Sequence, residues 1–239
     1  MSPLVTPVAL QDREMSITEH LEALRNCLIV SLTAVFLGTA IVWSWSENFL
    51  TWMARPVGEL IFLAPTEAFF TRLKVAMFGG FLLALPVVLH QAWSFVACAI
   101  GPETRKAVSL VLPVSYLLFV AGVTLAVSFV VPNAIHFLVA YGSESIRPQL
   151  AVGAYLEFVM MLALAFGLVF QIPLALLFLH RAGLVTYQYL AEKRRYIYFG
   201  GAVAAAALTP GPDVISQIAL GIPIILLFEI SLLIMRASK

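Results

Sequence analysis

Long stretches without a charged side chain are the feature of this sequence that most constrains its fold. Asp, Glu, Lys and Arg are absent for 28 positions from Val75 to Pro102 and for 37 positions from Ala107 to Ser143. Of the whole chain, 62% is hydrophobic and 11% is charged, with a mean hydropathy of +0.98. Because about 20 apolar residues cross a bilayer core as a helix, the sequence predicts an all-α, polytopic membrane protein.

The uncharged stretches predict six transmembrane helices, of which the fifth and sixth are short. Pro132-Asn133 is expected to end the third helix, and the run Thr209-Pro210-Gly211-Pro212-Asp213 is expected to form a tight turn before the sixth. Residues 26–235 form the predicted membrane domain, between an N-terminal segment 1–25 and a tail 236–239. The spans are expected at about 26–46, 75–97, 108–131, 155–180, 196–208 and 214–235.

Lysine and arginine are divided unevenly between the two sides of this predicted bundle. Ten of the 14 fall on the side that holds both termini, and four fall on the other side. Short cytoplasmic loops are enriched in these residues, so both termini are predicted to be cytoplasmic. Acidic residues precede the first apolar run, which has no small-residue cleavage site, and no removable signal peptide is therefore predicted.

The loop from Glu47 to Thr71 contains apolar residues at helical spacing, beginning at Phe49 and continuing to Ile61. This pattern predicts an amphipathic helix outside the membrane core. Two alternatives are open for it. The helix lies in the membrane interface, or it packs on the bundle as a cap.

Several function classes are excluded by charge and motif content. A net charge of +1 does not suit the neutralisation of nucleic-acid phosphates, so no nucleic-acid partner is expected. The four histidines and two cysteines are scattered between segments, which predicts neither a metal site nor a cofactor. Asp213 is the only aspartate besides Asp12, and hydrolase motifs such as Gly-x-Ser-x-Gly are missing, so the chain is not expected to be an enzyme.

Four ordered motifs resemble those of the TatC family, the six-helix receptor core of the twin-arginine protein translocase. They are Pro65 to Lys74, Leu85 to Trp93, Phe166 to Pro173 and Leu208 to Gln217, and the resemblance runs from about His20 to the end of the sequence. It implies a multi-pass protein of the cytoplasmic (inner) membrane that exports folded proteins using the proton motive force. It also implies TatA and TatB family membrane proteins as partners, twin-arginine signal peptides as ligands, and a homo-oligomer in the bilayer.

The resemblance implies that Glu22, Arg25, Glu103 and Arg105 bind the signal peptide. A carboxylate suits this task because it accepts two parallel hydrogen bonds from the planar guanidinium of an arginine. The chain departs from the family pattern, since each glutamate stands one residue before its usual position, which alanine and threonine occupy here. The alternative for Glu22 is an i,i+3 ion pair with Arg25, and the alternative for Glu103 is a plain loop charge.

The resemblance also implies that Gln171, Thr209 and Gln217 help to dock the transmembrane helices of TatA and TatB. The alternative for these residues is an interhelical hydrogen bond, because a polar side chain inside hydrocarbon needs a partner. Glu229 is expected to pair with the basic run at residues 193–195. Structural roles are expected for Pro56, Phe69, Pro86 and Asp213. Pro86 is expected to kink its helix, and Asp213 is expected to cap the helix that follows it.

Two alternative functions are open. One is a divergent paralogue that does not recognise twin-arginine signals, and the other is a small secondary transporter. A transporter usually has interrupted helices at corresponding positions of two halves, whereas the two short spans predicted here are neighbours.

Overall fold

The structure is a computed structural model that describes residues 17–55, 57, 60–100, 105–140, 149–209 and 214–237. In these ranges the chain is helical and contains no strand, apart from an isolated bridge between Ile61 and Ala151. The helices are α1 (Ile17–Trp43), α2 (Ser46–Ala54), α3 (Pro65–Ile100), α4 (Arg105–Leu125), α5 (Val131–Val139), α6 (Val152–Val169), α7 (Ile172–Arg181), α8 (Tyr187–Glu192), α9 (Arg194–Leu208) and α10 (Val214–Ala237).

Five helical stretches of the described chain are long and apolar enough to cross a membrane, which confirms the predicted all-α membrane protein. α9 is not one of them, because its 15 residues span about 22 Å at 1.5 Å per residue, less than a bilayer core of about 30 Å. The five stretches are Thr18–Trp43, Pro65–Cys98, Val111–Val139, Val152–Arg181 and Val214–Ala237.

The prediction that Pro132-Asn133 ends the third helix is wrong. Residues Ala126–Val130 form a π-helical turn after α4, and α5 continues directly to Val139. Pro132 is the second residue of α5, and the π-helical turn directly before it accommodates the ring and the missing backbone N–H. Asn133 Nδ2 donates to Phe129 O at 2.6 Å, so the wider turn before the proline keeps one of its carbonyl groups bonded.

Other helix bounds also differ from those expected from charge-free stretches. α1 and α3 begin at Ile17 and Pro65, well before the apolar runs that they contain, because charged residues continue the helices at their ends. The expected fourth helix is two helices, α6 and α7, joined by a turn at Phe170 and Gln171 just before Pro173. Proline removes a backbone donor, and this explains why α7 starts afresh there.

The core of the bundle surrounds α6, in which 11 of 18 residues are buried. α4 crosses it so closely that a Cβ at Gly122 would stand 2.6 Å from Phe166 O. α1 packs mainly on α3, and a Cβ at Gly38 would stand 2.5 Å from Gly80 O. Small residues at such crossings let helix backbones approach each other in a membrane, where packing drives association.

The amphipathic helix predicted in the first loop is α2, and it is a cap packed on the bundle. Met53 is buried, Phe49 and Leu50 pack against the core, and Tyr155 Oη of α6 donates to Met53 O at 2.8 Å. Arg72 of α3 also reaches α2, because its Nε donates to Ser46 Oγ at 2.9 Å. Of the two alternatives, the structure therefore has the cap.

The two loops beside α2 are joined to each other by backbone hydrogen bonds. Ile61 N donates to Leu150 O at 3.1 Å, and Val152 N donates to Ile61 O at 3.0 Å. The Glu67 carboxylate accepts from Leu63 N at 2.7 Å and from Gly153 N at 2.8 Å. These bonds tie the start of α3 to the start of α6.

Candidate functional site

The predicted signal-peptide residues belong to the end of the bundle where α1 starts, α3 ends and α4 begins. The His20 ring of α1 stacks on the Phe95 ring of α3, with centroids 4.5 Å apart. α3 continues only to Ile100, and α4 begins at Arg105. The first turns of α1 therefore lie beside the last turns of α3.

Glu22 and Arg25 are both exposed on the early turns of α1. Three residues apart on a helix, they share one face. Among the ion pairs of the described chain, none joins these two side chains. The carboxylate and the guanidinium are therefore both open to an incoming ligand.

Three other predicted residues, Glu103, Pro56 and Asp213, lie outside the described residues. Arg105 is the first residue of α4, and only its backbone is described. The structure therefore places two of the four predicted signal-peptide side chains, Glu22 and Arg25, on a common face of α1.

Gln171 lies in a polar cluster inside the bundle. Ser115 Oγ of α4 donates to Gln171 Oε1 at 2.5 Å, and Gln171 Nε2 donates to Ser115 O at 3.0 Å. Trp93 Nε1 of α3 donates to the same Ser115 Oγ at 2.9 Å. The alternative of an interhelical hydrogen bond is observed, and the cluster joins three helical segments where unpaired polar groups would be costly.

Ser115 is a residue that the sequence analysis missed. It is fully buried, its hydroxyl takes part in two hydrogen bonds of the Gln171 cluster, and its backbone carbonyl accepts the third. The available signal was a serine within an uncharged apolar stretch, since serine often bonds across helices in membranes.

The short helix α9 packs along α10. A Cβ at Gly201 of α9 would stand 2.9 Å from the Ile224 side chain of α10. Thr209, at the end of α9, is buried and donates to Ala206 O at 3.3 Å. Gln217 of α10 is partly exposed, and no hydrogen bond joins its side chain to another described residue.

At the other end of this helix pair, Glu229 holds α10 to α9. Its Oε2 accepts from Arg194 Nη2 at 2.9 Å, and its other carboxylate oxygen accepts from Tyr198 Oη. The predicted pairing of Glu229 with the basic run is confirmed. Lys193 and Arg195 instead lie over the Tyr196 ring, at 5.5 and 4.8 Å from its centroid.

The two structural predictions within the described residues fall on the surface of α3. Phe69 is exposed and meets Trp43 of α1 edge to face, with ring centroids 6.3 Å apart. Pro86 is exposed inside α3, which continues on both sides of it. Lys74 of α3 forms an ion pair with Glu157 of α6, a contact that the sequence analysis did not predict.

Metal-ligating residues do not cluster in the described ranges, where no group of three or more His, Cys, Asp or Glu side chains is arranged to hold an ion. Cys27 lies in α1 and Cys98 in α3, and both are thiols.

Comparison with known proteins gives one consistent family. The family model described as Sec-independent protein translocase protein (TatC) matches residues 19–223. The TatC protein of Carboxydothermus hydrogenoformans is 38% identical over 234 residues, which cover 96% of each chain. The TatC protein of Aquifex aeolicus is 36% identical over 226 residues, which cover 91% of this chain and 93% of the relative.

A solved structure agrees with the sequence relatives. The crystal structure of a twin-arginine translocase receptor, TatC, superposes with a TM-score of 0.81 at 35% identity, over 92% of this chain and 99% of the other. The chain therefore belongs to the TatC family and is a core membrane component of Sec-independent, twin-arginine protein translocation.

Proposed function

We propose that this protein is the receptor that binds twin-arginine signal peptides at the end of the bundle formed by the start of α1 and the corner between α3 and α4. Glu22 and Glu103 are the proposed acceptors for the paired guanidinium groups. The proposal is carried by the exposed Glu22 carboxylate, which has no ion-pair partner among the described residues. The solved relative described as a twin-arginine translocase receptor supports it.

The chemistry of the proposed site favours arginine over lysine. A carboxylate and a guanidinium form two parallel, charge-assisted hydrogen bonds, whereas an ammonium is a point charge without that fork. Arg25 and Arg105 are proposed to donate hydrogen bonds to the peptide backbone beside the two carboxylates. The stacked pair of His20 and Phe95 supports this role, because it fixes the first turns of α1 against α3.

The proposed topology has six membrane elements in the inner membrane, with both termini in the cytoplasm and α9 as the fifth element. The excess of Lys and Arg on the side of the termini supports this orientation. α9 is too short to cross alone, but its packing on α10 and the Arg194–Glu229 ion pair support its place within the bundle. The membrane domain is then residues 26–235.

TatA and TatB are the proposed partners at the α9–α10 pair, in an assembly that contains more than one copy of this chain and exports folded cargo using the proton motive force. Gln217 supports this docking surface, because its amide is partly exposed and makes no hydrogen bond within the described chain. Thr209 is proposed to shape the same end of α9. Gln171 is proposed to contribute by fixing the junction of α6 and α7 through Ser115.

The test is equilibrium binding of a fluorescent twin-arginine signal peptide to the purified, full-length protein in detergent. Replacing both peptide arginines by lysine is expected to weaken binding about ten-fold or more, because each charge-assisted hydrogen bond contributes about 1.5–3 kcal/mol. The double variant Glu22→Gln with Glu103→Gln is expected to lose the same preference.

Glu192→Gln is the matched control, since Glu192 is an exposed glutamate of α8 and is not one of the proposed signal-peptide residues. It should bind both peptides as the unchanged protein does. Equal binding of the arginine and lysine peptides by the unchanged protein would instead identify a divergent paralogue that does not recognise these signals. Unchanged binding by the double variant would show that the two carboxylates are not the acceptors.

A further inference from the structure

A cavity of about 210 Å³ opens between α2, the π-helical turn and α6. Its buried lining is apolar, and Val131 and Val159 are each 1% exposed there. Its exposed lining residues are Trp52, Arg55 and Ser128, which therefore surround the mouth. The cavity thus combines an apolar interior with a cationic and aromatic opening.

Two structural devices keep this cavity open. The π-helical turn Ala126–Val130 widens the helix on one side, and such turns often occur at functional sites. On the other side, the hydrogen bond from Tyr155 Oη to Met53 O fixes the distance between α6 and α2. The space is therefore a defined part of the fold.

Arg55 differs from the other described basic residues around α2 and the start of α3. Arg72 donates to Ser46 and faces Glu47 at 4.0 Å, and Lys74 pairs with Glu157. No hydrogen bond or ion pair joins Arg55 to a described residue. An open guanidinium at the mouth of an apolar cavity is complementary to a ligand with a phosphate next to a hydrocarbon chain.

We propose that this cavity binds an anionic phospholipid of the surrounding bilayer. The headgroup phosphate contacts the Arg55 guanidinium, and a segment of one acyl chain enters between Val127, Val131 and Val159. Trp52 is 48% exposed at the mouth, and tryptophan is enriched at the headgroup level of membrane proteins. This lipid site is independent of signal-peptide recognition.

The experiment is native mass spectrometry of the delipidated, full-length protein titrated with phosphatidylglycerol, phosphatidylcholine or inorganic phosphate. We expect one molecule of phosphatidylglycerol to bind to each protein, with a higher affinity than phosphatidylcholine. Arg55→Gln is expected to weaken phosphatidylglycerol roughly five-fold, the effect of one basic residue at an anionic membrane surface. Arg181→Gln, a change of an exposed arginine that does not line the cavity, is the matched control and should leave this binding unchanged.

A second variant separates the acyl-chain contact from the charge. Ser128→Phe puts a bulky ring at the mouth without altering charge and is expected to weaken both lipids. Melting temperatures of all variants establish that they are folded. Equal affinity of the two lipids for the unchanged protein would overturn the proposal, as would full phosphatidylglycerol binding by Arg55→Gln. Displacement of the lipid by inorganic phosphate at matching concentration would assign the site to a free anion and overturn it as well.

Discussion

α1 and α6 are both apolar helices, but they occupy opposite environments. α6 is enclosed by its neighbours, whereas only 6% of the apolar window of α1 is buried and α1 packs mainly on α3. α6 supplies many of the buried residues of the core around it. α1 carries the exposed side chains proposed to bind signal peptides, and a helix held along one side leaves such side chains accessible.

The largest effect is expected from matched phenylalanine changes in these two helices. Phe166 of α6 is fully buried, whereas Phe36 of α1 is 73% exposed. Phe166→Ala should lower the free energy of unfolding by about 3 kcal/mol because it leaves a cavity, and Phe36→Ala should change it by less than about 0.5 kcal/mol. Denaturant unfolding in mixed micelles measures both. Similar losses for the two variants would show that α1 is packed as firmly as α6.

A smaller effect is expected from a glycine change at the crossing of α4 and α6. A Cβ at Gly122 would meet backbone oxygen of Phe166, which has no rotamer to change. Gly122→Ala should therefore cost about 1–3 kcal/mol of unfolding free energy. Gly200→Ala on α9 is the control, since a Cβ there meets nothing within 4 Å. An unchanged melting temperature for Gly122→Ala would mean that the two helices can separate without loss.

The polar cluster around Ser115 gives the next effect. Ser115→Ala leaves the Trp93 N–H and the Gln171 amide oxygen without their partner inside the bundle, and about 1–2 kcal/mol of unfolding free energy should be lost. Ser94→Ala on α3 serves as control, because no hydrogen bond joins the Ser94 side chain to a described residue. Equal melting temperatures for the two variants would show that water replaces the lost bond.

The smallest effect is expected at Glu229. Glu229→Gln removes the ion pair with Arg194, both side chains of which are partly exposed, and should cost a few tenths to about 1 kcal/mol. Because exposed charges are screened, the difference from the unchanged protein should shrink in concentrated salt. Glu192→Gln is again the matched variant. A loss that is the same at low and high salt would assign the effect to packing.

The length of the uncharged stretches predicted the apolar helices, because every charged side chain is costly in hydrocarbon whatever its neighbours are. The same reasoning placed Glu229 near the basic run, since both lie toward one end of adjacent helices. It failed at Pro132, because whether a proline ends a helix depends on the turn that precedes it. The residue types of Ala126–Val130 do not distinguish a π-helical turn from an ordinary α-helical one.

The polar contacts between distant segments were harder to predict than the helices. Ser115 is one serine among apolar neighbours, and only the crossing of α3 and α4 brings it to Trp93. The surroundings of Arg55 could not be predicted for the same reason, because its cavity is formed by residues that are about 70 and 100 positions away in sequence. Within the candidate site, the exposure of Glu22 and Arg25 could be predicted, because both residues lie in the early, charged turns of α1.

The bond between Glu67 and Gly153 joins residues 86 positions apart, and the bond between Met53 and Tyr155 spans 102. Neither can form while the ribosome is still making the first half of the protein. At a synthesis rate of about 5–20 residues per second, synthesis of the α6 residue that α2 bonds takes roughly 5–20 s more. During that interval the nascent chain exposes the face of α2 that the finished protein buries against α6.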